Sequence, residues 1–266
     1  MELELAGKRA VVTGGSRGIG KAVARQLLAE GATVVIAALS ADRLRATADE
    51  LAATSGGTIV PVQVDTGSDE SVRNLVGRAV AALGGIDILV NSAARPSGQA
   101  PAPHLADITD DRFWGDVNVK VMGSLRCMRE VAPYMKAQGW GRIINVSGLG
   151  ARQTGNPVTS MRNSALAALT KNAADELGAF GINVTVVHPG LVRTEATAEV
   201  MAARARELGV DVAEVERRAG SVYAIRRFCD ADEVATVIVF LASPKSVSIA
   251  GDAVVCSGGV RGPIYY

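Results

Sequence analysis

Short apolar runs rich in β-branched residues alternate with longer amphipathic segments along this chain. The runs are Arg9–Thr13, Thr33–Ala37, Thr58–Val64, Ile86–Asn91, Arg142–Ser147, Asn183–His188 and Ala253–Cys256. They lack a polar alternation, which fits strands covered on both faces. Between them lie helical patterns over roughly Gly18–Glu30, Ala41–Ala53, Asp69–Leu83, Asp110–Ala137, Val158–Ala179 and Asp232–Ala242. Strand–helix alternation predicts an α/β fold, a doubly wound parallel sheet of about seven strands with helices on both faces and crossovers of one hand. No internal repeat and no low-complexity linker interrupts the pattern, so residues 1–266 read as a single domain.

Two stretches break the rhythm. Ala94–His104 holds Pro96, Gly98, Pro101 and Pro103 and reads as a loop. It follows a strand end, where open α/β sheets bind ligands. Residues 191–228 follow Pro189-Gly190 and look helical and charged. Their place between the sixth strand and the last long helix predicts a lid over a cleft. Tyr223, Phe228 and several alanines there predict a mostly apolar pocket mouth.

Composition narrows the function classes. A chain that is 48% hydrophobic and 21% charged suits a globular protein with a substantial core. A formal net charge of +1 and the lack of any basic tract argue against nucleic acid or an anionic membrane surface as partner. Apolar stretches such as Ala32–Leu39 are too short to span a bilayer. Met1-Glu2-Leu3-Glu4 lacks the features of a signal peptide, so a cytoplasmic location is expected. Cys127, Cys229 and Cys256 then read as reduced thiols. The two histidines, His104 and His188, are too few for a histidine metal site, and no metal is expected.

The first strand runs into Thr13-Gly14-Gly15-Ser16-Arg17-Gly18-Ile19-Gly20, and a helix follows. Glycines permit a tight turn and the close approach of backbone to a pyrophosphate. The helix N-terminus adds unpaired N–H donors and a positive dipole end. The turn, through Gly14, Ser16, Arg17, Gly18, Ile19 and Gly20, is therefore a dinucleotide site.

The Gly-x-x-x-Gly-x-Gly spacing resembles the short-chain dehydrogenase/reductase family. Asp65 resembles its adenine-contacting aspartate. Asn91-Ser92-Ala93-Ala94 resembles its Asn-Asn-Ala-Gly turn, with Asn91 and Ala93 near the cofactor. Asn118 matches the asparagine that holds a kink and a water in the long fourth helix. Ile143–Ser147 resembles the strand that carries the catalytic serine. Pro189-Gly190-Leu191-Val192-Arg193-Thr194 resembles the nicotinamide-side loop, with Pro189, Gly190, Val192 and Thr194 as cofactor contacts. Gly251–Gly259 resembles the last strand and its glycine pair. The resemblance covers nearly the whole chain. It implies a Rossmann-like fold, a nicotinamide cofactor, hydride transfer on a small-molecule substrate, and a homotetramer. The small residues of Val158–Ala179, including Ala165, Ala167, Ala168, Ala173 and Ala174, fit such a seam.

The second strand ends Ala37-Ala38-Leu39-Ser40, with no acid to repel a 2′-phosphate. Arg17 and Ser40 are placed to reach that phosphate, so NADP(H) is favoured over NAD(H).

In this family a tyrosine donates a proton, a lysine four residues later lowers its pKa, and a serine polarises the carbonyl. This chain has no tyrosine between Tyr134 and Tyr223 and no lysine between Lys136 and Lys171. Counting back from Leu166-x-x-Leu169-Thr170-Lys171 puts Thr159 at the tyrosine position and Asn163 at the lysine position. Counting forward from Ser147 gives Ser160 and Ser164 instead. Ser147 is the candidate serine, although one register puts Gly148 there. His188 is a further candidate donor. The expected catalytic set is Asn118, Ser147, Thr159 and Asn163. Loss of the pair leaves three readings. The first is an oxidoreductase acting on an imine, enone, quinone or carbonyl. The second is a dinucleotide-binding sensor or scaffold without turnover. The third is non-redox chemistry, such as elimination or hydration, in the same cleft.

Overall fold

The structure is a computed structural model, and it describes residues 2–95 and 102–261. Residues 96–101, the middle of the predicted proline-rich loop, lie outside the described residues. Seven parallel strands form the main sheet: β1 (Arg9–Thr13), β2 (Thr33–Ala38), β3 (Ile59–Gln63), β4 (Ile88–Asn91), β5 (Gly141–Val146), β6 (Ile182–Pro189) and, last in the chain, the strand Ala253–Cys256. The order across the sheet is β3-β2-β1-β4-β5-β6 followed by Ala253–Cys256. The order reverses between β1 and β4, and a crevice opens beyond the carboxyl ends of these strands.

Alternate residues of each strand serve opposite faces. Ala10 and Val12 of β1 pack with Val34 and Ile36 of β2 in one cluster; Val11 and Val35 join the other. Helices α1 (Gly18–Ala29), α2 (Ala41–Ser55) and α9 (Ala231–Ala242) cover the first face. Helices α3 (Asp69–Leu83), α5 (Gly123–Gln138) and α6 (Pro157–Leu177) cover the second. With both faces of each strand covered, β-branched residues stand in continuous runs rather than alternating with polar ones. Helix starts carry local signals. Ser68 accepts from the Ser71 N–H at 3.3 Å to open α3, and Asn156 accepts from the Thr159 N–H at 3.3 Å to open α6, with Pro157 at its first position.

The predicted helix Asp110–Ala137 is divided. It consists of α4 (Asp110–Val117), a π turn over Asn118–Met122, and α5. A π turn adds one residue to the helical repeat. The Asn118 carbonyl accepts the Gly123 N–H across that turn, and Arg126 donates to it as well at 3.2 Å and to the Thr66 carbonyl at 3.1 Å. The Asn118 amide donates to the Gly67 carbonyl at 3.2 Å. The inserted turn is thus tied to the loop after β3.

The 191–228 segment holds a short parallel pair, β7 (Val192–Arg193) and β8 (Cys229–Asp230), with α7 (Glu195–Leu208) and α8 (Val212–Gly220). Met201, Ala205, Val215, Tyr223 and Phe228 form a small core of its own. Trp114, Tyr134, Met161 and Phe180 are exposed on α4, α5 and α6 and the turn after α6.

Ile143 is fully buried in a central strand, whereas Val247 is 65% exposed. Ile143→Ala is expected to lower unfolding free energy by about 2–5 kcal/mol, and Val247→Ala to change it by less than about 0.5 kcal/mol. Denaturant unfolding followed by circular dichroism measures both.

Candidate active site

The glycine turn is compact because no side chain fits within it. A Cβ on Gly20 would lie 2.3 Å from the Gly14 carbonyl oxygen, and one on Gly14 would lie 2.7 Å from the Ser92 carbonyl oxygen. Gly14 and Gly18 also adopt left-handed φ values of 68° and 53°. Thr13 joins β1 to the turn after β4, its hydroxyl accepting from the Ser92 and Ala93 amides at 3.2 and 3.3 Å. Thr47 on α2 donates to the Ser16 carbonyl at 3.0 Å.

A cleft of about 980 Å³ runs from this turn along the carboxyl edge of the sheet. Gly14, Ser16, Arg17, Gly18, Ile19, Gly20, Ser40, Asp65, Ala93, Pro189, Gly190, Val192 and Thr194 line it, as do Ser147, Thr159 and Asn163. Asn91 and Asn118 are not among the lining residues. Asn91 is buried at the end of β4 and donates to Asn145 at 2.9 Å. Ser160 and Ser164, from the other register, donate to the Gln153 and Ala151 carbonyls and stand outside the lining.

The turn is poised for an oxyanion. The Gly18 N–H donates to a carboxylate oxygen of Glu195 at 3.0 Å. Glu195 begins α7, where Thr194 accepts from the Thr197 N–H at 3.3 Å. A carboxylate from the 191–228 segment therefore stands on the amide that a diphosphate would use. This stand-in anion, with the close-packed glycines, shows that the turn fits such a group. Arg43, in the first turn of α2, joins Arg17 and Ser40 at the far end of the cleft.

The opposite end is cationic. Lys120, inside the π turn, is 5% exposed and lines the cleft. Its ammonium donates to the Ser147 carbonyl oxygen at 2.7 Å. Burial, then the positive charge of Arg162, push its pKa down to about 7, with Asp116 opposing. Arg162 and Asp116 are themselves buried and paired at 2.9 Å. The Ser147 hydroxyl donates to the Asn163 carbonyl at 3.2 Å, and the Asn163 side-chain oxygen is buried without a partner.

His188, the alternative donor, is 1% exposed and does not line the cleft. Burial first, then Arg152 and Lys120, push its pKa down to about 4, so it is neutral near pH 7. Tyr223 does line the cleft, but its hydroxyl accepts from the Leu191 N–H at 3.2 Å. Phe228 is buried against Tyr223 with ring centroids 6.0 Å apart and is absent from the lining. The cleft is consequently more charged than the sequence suggests. Among the described residues no group of three or more His, Cys, Asp or Glu is placed to hold a metal, and no helix is long and apolar enough to cross a membrane.

Residues 14–261 match a family model described as enoyl-(acyl carrier protein) reductase. The short-chain reductase NovJ of Streptomyces niveus is 34% identical over 94% of this chain and 92% of its own length. The 3-oxoacyl-(acyl-carrier-protein) reductase FabG of Aquifex aeolicus is 31% identical over 98% of this chain and all of its own. The chain belongs to the short-chain dehydrogenase/reductase family. L-Sorbose reductase from Gluconobacter frateurii, solved with NADPH and L-sorbose, superposes with a TM-score of 0.94 at 30% identity, covering 99% of this chain and 100% of its own. A 7α-hydroxysteroid dehydrogenase solved with NADH and 7-oxo glycochenodeoxycholic acid gives 0.86 at 28% identity, covering 99% and 98%. The family places the chain among NAD(P)-dependent oxidoreductases acting on small molecules.

Among the lining residues not evident from the sequence are Arg43, Lys120, Arg162 and Glu195. Each lies in a helix or π turn, where spacing alone does not reveal which face meets the cleft. Glu195 occupies the Gly18 amide and places a negative charge on the glycine turn. Glu195→Gln is expected to tighten dinucleotide binding roughly threefold to tenfold, equivalent to about 1 kcal/mol. Calorimetric titration of NADPH into both proteins checks this.

Proposed function

We propose that the chain is an NADP(H)-dependent oxidoreductase that moves hydride to or from the carbon of a small, uncharged carbonyl compound such as a ketone, enone or quinone. The observation that carries this reading is the carboxylate of Glu195 resting on the Gly18 amide, at one end of a cleft whose other end holds buried cations. NADPH, when bound, supplies the hydride. The glycine turn grips the diphosphate, and Pro189 to Thr194 bound the nicotinamide side. Arg17, Arg43 and Ser40 supply donors for a 2′-phosphate, with no acid among them. The L-sorbose reductase was solved with NADPH and the 7α-hydroxysteroid dehydrogenase with NADH, so the preference proposed here rests on these donors.

The charges also narrow the substrate. Among the described residues Lys120 and Arg162 face one carboxylate, Asp116, so an iminium ion would enter against net positive charge. A carbonyl oxygen that gains negative charge as hydride arrives is favoured by the same groups. The 191–228 segment acts as the lid, its small core holding the cleft wall together. The exposed Trp114, Tyr134, Met161 and Phe180 support a homotetramer with these helices as its seam.

Purified protein is expected to consume NADPH faster than NADH with ketones, enones or quinones, read by loss of reduced-nicotinamide absorbance. Arg43→Ala is expected to narrow the preference roughly tenfold, about the worth of one charge-assisted hydrogen bond. Tight NADPH binding with no turnover on any of these compounds points instead to the non-catalytic dinucleotide-binding protein. On gel filtration the chain is expected to run at about four chain masses; elution as a monomer sinks the tetramer.

A further inference from the structure

A lysine is seldom buried without a carboxylate partner, because the charged form loses its hydration. Lys120 is such a lysine. The acid that acts on it, Asp116, is engaged by Arg162 at 2.9 Å, and no ion pair to Lys120 is found among the described residues. Its ammonium has three donors. One is committed to the Ser147 carbonyl at 2.7 Å. Lys120 lines the cleft beside Ser147, Thr159 and Asn163, the residues at or near the positions of the family's serine, tyrosine and lysine. A π turn presents it there, an interruption that costs regular helix hydrogen bonding and that is common at functional sites.

We propose that Lys120 is the proton donor and acceptor of the reaction, taking the place of the absent tyrosine. This rests on the oxidoreductase reading above. In the reducing direction the carbonyl carbon gains a hydride from NADPH, which is oxidised to NADP⁺. The C=O π pair moves to oxygen, and that oxygen takes a proton from Lys120 Nζ. One N–H bond breaks, one O–H bond forms, and the neutral amine is recharged from water. In the oxidising direction the neutral amine accepts the alcohol proton.

Geometry favours Lys120 over Tyr223. The Tyr223 hydroxyl is engaged by the Leu191 amide, and its ring lies against Gly190, where an added Cβ would sit 3.2 Å from it. The groups acting on Lys120 come from three elements: Asp116 on its own helix, Arg162 on α6, and His188 on β6, which burial keeps neutral. Burial and Arg162 both favour the free amine. The donor is therefore present below about pH 7 and the acceptor above it. Carbonyl reduction should fall as pH rises through that value, and alcohol oxidation should rise.

The test combines kinetics with lysine titration. In spectra of protein labelled with ¹³C at the lysine ε-carbon, one resonance should titrate near pH 7 and be missing from Lys120→Met. If Lys120 titrates with the other lysines, near the ordinary value of about 10.4, the proposal is overturned. Lys120→Met and Lys120→Arg should each lower kcat for carbonyl reduction by about 10²-fold or more and lose the pH limb. Their NADPH affinity, read by fluorescence, should stay within a few-fold. Full activity in Lys120→Arg means the cation serves only as an electrostatic clamp and overturns the donor role. Loss of the limb in Tyr223→Phe, with its retention in Lys120→Met, assigns the proton to the phenol and also overturns it. A wild-type protein that turns nothing over defeats the oxidoreductase reading itself. Turnover that Lys120→Met preserves defeats only the role of Lys120.

Discussion

The site depends on one close approach of backbone to backbone. The start of α1 lies so near the end of β1 that a methyl group on Gly20 would sit 2.3 Å from the Gly14 carbonyl. That contact sets the direction in which α1 leaves the sheet. It also leaves the Gly18 amide facing the cleft, where it meets Glu195. Gly14 in turn abuts the Ser92 carbonyl, which ties the turn to the end of β4, its neighbour across the point where strand order reverses. Three elements are fixed against one another by the absence of side chains, and any Cβ there must push them apart.

At the other end, charge rather than packing sets the arrangement. Among the described residues a buried ammonium and a buried guanidinium share the carboxylate of Asp116. Such a set stabilises the fold poorly, because desolvation offsets much of the attraction. Lys120 is held by one carbonyl oxygen, that of Ser147, at the end of β5. The strand end, the π turn and α6 thus meet at one cation, and the cleft takes its positive character from elements distant in sequence.

Much of this was legible in the sequence. The seven strands follow from β-branched runs whose burial on both faces is a local property of composition. The glycine turn follows from spacing, and most residues expected around it line the cleft. Thr159 and Asn163 follow from a register counted along one helix, and both reach the cleft. Lys120 was hidden for a physical reason. The segment from Asp110 to Ala137 has an amphipathic pattern that reads as one long helix, and the kink that the resemblance places at Asn118 does not by itself say which side chain it turns toward the cleft. The π turn at Asn118–Met122 inserts a residue, so the regular helical phase does not carry through Lys120. The family carries its lysine on α6, whereas here the cation enters from the neighbouring helix. Glu195 was hidden because its importance lies in a contact with Gly18, 177 residues away.

The missing tyrosine and the buried lysine answer the same chemical requirement from opposite starting points. A phenol titrates near 10 in water and needs a neighbouring cation to work as an acid near neutral pH. An ammonium titrates near the same value and needs no partner, because burial alone opposes its charge. A tyrosine–lysine pair spends two side chains and one helix face on lowering a donor. A buried lysine spends one side chain and the stability lost by desolvating it. Placing Arg162 nearby lowers the donor further, while pairing Arg162 with Asp116 keeps the second cation from adding its full charge. With no phenol on α6 to tune, the ammonium reaches the cleft from another helix, out of the π turn at Asn118–Met122.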